Sequence, residues 1–132
     1  MTDTIRTITE LQALLADNNT AQISAQDLRD AVKSLIDIYI TPVTGPAYEI
    51  TVDDRLLHVA YTNTGVCAIT WPTAQITDGR EIDIKDADGN ASVNNITITP
   101  ASGLIEGIAS YTIGLDSMSV TVYCLGGNLF VK

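Results

Sequence analysis

The hydrophobic period of this chain changes once, at the break Thr41-Pro42-Val43-Thr44-Gly45-Pro46, and that change divides a helical lead from a β-rich remainder. Before the break, Ser24 to Ile40 (SAQDLRDAVKSLIDIYI) places Leu28, Val32, Leu35 and Tyr39 at helical spacing, with Ala31 and Ile36 widening the stripe. Arg29, Asp30, Lys33 and Asp37 lie mostly off that stripe. Ser24 supplies an N-cap, Asp27 a carboxylate for the helix N-terminus, and Ile23 with Leu28 a hydrophobic staple. A shorter helix is predicted upstream, where Thr7 and Glu10 fit a capping box and Ile8, Leu11, Leu14 and Leu15 share a face until Asn18-Asn19-Thr20 stops it. Helices this short are marginal alone in water. Their apolar stripe therefore needs cover from the β part, from the first helix, or from the same helix of other copies.

After Pro46 the period is two. Tyr48, Ile50 and Val52 alternate with Glu49 and Thr51, and Leu57, Val59 and Tyr61 alternate with His58 and Ala60. Further strands are predicted at Val66–Trp71, Arg80–Lys85, Asn94–Thr99, Leu104–Ile108, Tyr111–Ile113, Met118–Cys124 and Leu129–Val131. The stretch between Lys85 and Ile96 reads as a hairpin or a wide β-arch. The expected fold is mainly β: a compact antiparallel β-sandwich or barrel-like body over residues 47–132, preceded by an N-terminal helix-loop-helix arm over 1–41. Apolar residues on both parities of some strands, as in Leu56 beside Leu57 and Ala68 beside Ile69, suggest faces buried a second time between subunits.

Composition removes several functions. The formal charge is −9, with only seven Lys and Arg residues among 132, so binding nucleic acid by phosphate neutralisation is not expected. No apolar run has the length of a bilayer span and the N-terminus lacks a secretory pattern, so no membrane association and synthesis in the cytoplasm without Sec export are expected. Cys67 and Cys124 lie in strand-like segments and read as buried free thiols.

Chemistry is sparse. His58 sits mid-strand with no marked nucleophile or acid, and Ser110, Ser117 and Ser119 lack a nucleophile-elbow context. Asp86, Asp88 and Asn90 begin like a calcium loop, but Gly89 is fourth and Thr97 twelfth where glycine is needed sixth and glutamate twelfth, so a turn is expected. No catalytic residue, cofactor or metal site is expected. Trp71, Tyr111, Tyr123 and Phe130 offer the aromatic groups of a sugar platform, although aromatics at alternating strand positions ordinarily pack in a core or interface.

The run Ile23-Ser24-Ala25-Gln26-Asp27-Leu28-Arg29-Asp30-Ala31-Val32 resembles the short helix that precedes β-domains in many tailed-phage virion proteins. Gly79 to Asp86, Asn94 to Pro100, Ile105-Glu106-Gly107, Tyr111-Thr112-Ile113, Ser119 to Tyr123 and Asn128 to Val131 are together similar to β-modules of phage head fibres, capsid decoration proteins and tail fibres. The resemblance spans about residues 23 to 132 and names a class of building block. It implies a homotrimer, and a non-enzymatic virion protein on the outer surface of the capsid, its partners being copies of itself and the major capsid protein or another virion protein. The residues expected at the oligomer or attachment interface are Ile8, Leu11, Leu15, Leu28, Val32, Leu35 and Tyr39. Alternatives are a tail-fibre or baseplate component contacting a host receptor, and a carbohydrate-binding module.

Overall fold

The computed structural model describes residues 7, 9, 10, 25–36 and 40–132. The chain divides into two compact units, Met1–Tyr39 and Ile40–Lys132. In the first, the capping box forms as expected: Thr7 N–H donates to Glu10 Oε2 at 2.8 Å, and Glu10 N–H donates to Thr7 Oγ1 at 3.2 Å. Helix α1 spans Ala25–Ile36, with Lys33 in its last turn where a cation meets the negative end of the dipole. Ser24 and the staple residue Ile23 lie outside the described residues.

The second unit contains nine strands among the described residues: β1 Ile40–Val43, β2 Ala47–Glu49, β3 Leu56–Val59, β4 Cys67–Trp71, β5 Glu81–Asp86, β6 Ile96–Pro100, β7 Tyr111–Ile113, β8 Ser119–Leu125 and β9 Asn128–Val131. They form a five-stranded sheet A in the order β1-β3-β5-β8-β9 and a four-stranded sheet B in the order β2-β4-β6-β7. The mainly β body is therefore present. Its antiparallel sandwich or barrel form is corrected: both sheets are mixed, and neither closes on itself. The first six strands alternate between the sheets, and each pairs in parallel with its predecessor in the same sheet.

This winding solves the parallel-pair problem without helices. Parallel neighbours need a crossover between them, and here the crossover from one strand of a sheet to the next is a strand of the other sheet. Three rungs result, β1-β2, β3-β4 and β5-β6. The stretch from Asp86 to Ile96 is a β-arch between sheets, one of the two forms expected. The register advances unevenly, since Ile40 faces Leu56, which faces Asp83. The chain then reverses, as β7 runs antiparallel to β6, β8 to β5 and β9 to β8.

The core lies between the sheets. Leu57, Val59, Ile82, Ile84, Val122 and Leu129 face inward from sheet A, and Cys67, Ile69, Trp71, Ile96, Ile98 and Ile113 from sheet B. Alternation along each strand dictates this, as in β5, where Ile82 and Ile84 are buried while Glu81 is exposed. Cys67 and Cys124 are buried free thiols, and burial pushes both thiol pKa values up.

Two segments differ from their sequence readings. Ile40–Val43 is a strand rather than the end of a helix followed by a break. Pro42 is tolerated there because β1 is an edge strand, where a missing N–H breaks no inner ladder. Leu104–Ile108 is a tight turn closed by a bridge between Ile105 and Ile108 rather than a strand, with Glu106 at φ 50°. That turn covers the outer edge of β9: Leu129 N–H donates to Leu104 O, Glu106 N–H to Leu129 O, and Val131 N–H to Glu106 Oε1 at 2.6 Å. Covering an edge in this way removes a template for unwanted pairing.

Candidate functional site

The seven expected interface residues all belong to the first unit. Ile8, Leu11, Leu15 and Tyr39 lie outside the described residues. Leu35 belongs to α1, whose described side chains include Leu28 and Val32. Those two are exposed, at 60 % and 48 %, whereas Asp30 is buried at 1 %. Two members of the apolar stripe, Leu28 and Val32, are thus open to solvent, while Asp30, off the stripe, is covered. A strongly apolar stripe left exposed is the kind of surface that marks an interaction site.

In the body, the densest polar cluster surrounds Asp54, which is 1 % exposed. Its carboxylate accepts from Thr41 Oγ1 on β1 at 2.5 Å, Tyr48 OH on β2 at 3.0 and 3.1 Å, and Thr51 N–H and Oγ1 at 2.7 and 3.1 Å. Burial, the hydrogen bond to Asp54 and its charge push the Tyr48 phenol up to about 12. Two guanidinium groups sit beside this cluster and are held by backbone carbonyls and, for Arg80, also by the Gln75 side-chain amide. Arg55 donates to Asp54 O at 2.8 Å, and Arg80 donates to Thr51 O at 2.5 Å and to Gln75 Oε1 at 2.5 Å. Burial and the neighbouring Arg55 lower the pKa of Arg80. Every donor aimed at Asp54 belongs to the first rung or the turn after it, so the cluster ties that rung together.

Asp86 performs a related task at the C-terminal end of β5. Its carboxylate accepts from Gly89 N–H, Ala91 N–H and Ser117 N–H at 3.2, 3.1 and 2.9 Å. The residues that resemble a calcium loop thus build a turn, and Asp86 also anchors Ser117, which adopts φ 60°. His58 is exposed on the outer face of sheet A, in register with Pro42 and Lys85.

The two outer faces differ in chemistry. Sheet B presents Ala47, Ala68, Thr97 and Thr112 in one row and Glu49, Thr70 and Thr99 in the next. Sheet A presents Glu81, Asp83 and Lys85 from β5, Ser119, Thr121 and Tyr123 from β8, and Phe130 from β9. Tyr123 and Phe130 stack at a centroid separation of 5.5 Å, and Lys132 Nζ lies 5.7 Å from the Tyr123 centroid. Trp71, the strongest aromatic candidate from sequence, is fully buried and its Nε1–H donates to Gln75 O at 2.9 Å. It fills the core and is removed from any sugar platform. Tyr111 is half-buried and packs against the core.

No protein-family model matches the chain, and no curated protein shows significant similarity to it.

Proposed function

We propose that the protein is a non-enzymatic structural protein of a tailed-phage virion: a homotrimeric capsid decoration or head-fibre protein that grips the major capsid shell through its N-terminal arm. The observation that carries this reading is the exposed Leu28–Val32 stripe of α1, an apolar surface that needs a second partner. Resemblance of both the helix and the β-modules to virion building blocks supplies the class. Three equivalent arms convert weak single contacts into avid attachment, a gain on the order of 10²–10⁴ for linked sites. An acidic body is repelled by packaged DNA, which favours the outer surface of the shell. The sparse charge on the outer face of sheet B, where Glu49 is the one ionisable strand residue, suits a contact between subunits.

The test mixes the purified protein with undecorated heads and, separately, with tails. Retention by heads, with a trimer mass by sedimentation and loss of both in Leu28→Asp/Val32→Asp, supports the proposal. Retention by tails alone makes the protein a tail-fibre or baseplate component. A strict monomer that neither particle retains refutes the reading.

A further inference from the structure

We propose that the outer face of sheet A carries a saccharide-binding site built on Tyr123 and Phe130, and that its ligand is a neutral oligosaccharide. The inference is independent of which particle the protein attaches to. It begins from strand parity. The inward positions of β8 and β9 are filled by Val122, Cys124 and Leu129, all buried, so the core is complete without the two rings. Tyr123 and Phe130 stand on the opposite face, directly across the ladder from one another and half-exposed. A stacked pair on the solvent side of a sheet stabilises it as a cross-strand pair. It also offers a continuous apolar ledge to a ligand with a C–H-rich face.

The groups around the ledge suit a ring of hydroxyls. Glu81 lies in register with Tyr123 and its Oε1 accepts from Lys132 Nζ at 2.6 Å. Two residues along, on the same face, the Thr121 hydroxyl donates to Asp83 Oδ1. Beside the aromatic pair the face therefore sets two carboxylates, an ammonium and a hydroxyl. This mix of acceptors and donors matches vicinal hydroxyls, which both give and take hydrogen bonds. Ligand charge follows from the same residues. Glu81 and Asp83, with a whole-chain charge of −9, repel acidic polysaccharides and nucleic acids, whose bases would otherwise suit the rings but whose backbones need a cationic track.

The experiment is an amide NMR titration of the full-length chain with cellohexaose, maltohexaose, xylohexaose and N-acetylchitohexaose, each to millimolar concentration, and with polygalacturonate as the anionic arm. At least one neutral hexaose is expected to shift the amides of Thr121, Tyr123, Phe130 and Lys132. Phe130→Ala is expected to weaken binding about 3- to 10-fold, the scale of one lost aromatic contact. Emission from Trp71, buried away from the ledge, reports whether that variant is folded. If it is not, Lys132→Gln decides, with an expected loss of roughly 3-fold from removing one charged hydrogen-bonding group. The proposal is overturned if no neutral hexaose shifts these amides, if shifts map elsewhere, if only polygalacturonate binds, or if the deciding folded variant binds as the parent does.

Discussion

Replacing Asp54 with alanine removes the acceptor that serves Thr41, Tyr48 and Thr51 at once. The part-buried Thr51 N–H then loses its acceptor, and each bond to an ionised acceptor contributes roughly 1.5–3 kcal/mol before the freed donors find new partners. Because the two threonine hydroxyls can rotate and the Tyr48 phenol is only half-buried, the sum expected is about 3–5 kcal/mol. That is a large part of the ~5–15 kcal/mol by which such domains are stable. Trp71 emission in urea is the assay, since this residue is wholly within the core of the same unit. With a slope of about 1–2 kcal/mol per molar, the midpoint falls by roughly 1.5–5 M. Asp54→Asn keeps the shape and one acceptor oxygen, so it should lose about half as much. A loss below ~1 kcal/mol for Asp54→Ala would refute the idea that this carboxylate holds the first rung.

Gly103 has φ +72°, and a Cβ there would lie 2.2 Å from the Gly127 carbonyl oxygen; Gly103→Ala should destabilise by ~2–4 kcal/mol. Gly107→Ala, at φ +77° but in open space, should lose only ~1 kcal/mol in the same urea measurement. Tyr48 ionises at about 12 in the folded chain against an ordinary 10.0, so its stabilisation is complete below pH 10 and disappears as pH rises from there through 12. Between pH 8 and 11.5 the parent should therefore lose about 1 kcal/mol more than Tyr48→Phe, after discounting for the partly exposed phenol. The buried thiols act in the same direction in both proteins and cancel in that difference. A truncation beginning at Ile40 should retain the cooperative Trp71 transition, while one beginning at Ala47 loses β1 and the Thr41 bond to Asp54 and should melt at lower urea, by ~2 kcal/mol or more.

Alternation made the strand faces legible: Ile82 with Ile84, and Val120 with Val122 and Cys124, point inward as their spacing requires. The Thr7–Glu10 capping box was equally readable, because cap chemistry acts over three residues. Strand direction was not, since a period of two is the same whether the neighbour runs parallel or antiparallel. β1 was hidden by Pro42, which reads as a breaker until the strand is known to lie at an edge. Asp54 sits in a polar Asp-Asp pair that gives no sign of a role, which depends on Thr41 and Tyr48, brought to it only by the rung. The Leu28–Val32 stripe was visible as a periodicity, but a helical wheel defines two sides without saying which is covered. For the proposed ledge, the sequence held both aromatic residues, whereas their pairing needed the register of β8 against β9.

The alternating-sheet winding also bears on how such a protein can change size. Each circuit is a self-contained layer with its own inward side chains, and neighbouring strands stack about 4.8 Å apart. Duplicating one circuit would lengthen the body by that step while leaving the antiparallel strands β7 to β9 unchanged. The same plan can thus serve as a ruler, with the length of the body set by the number of layers.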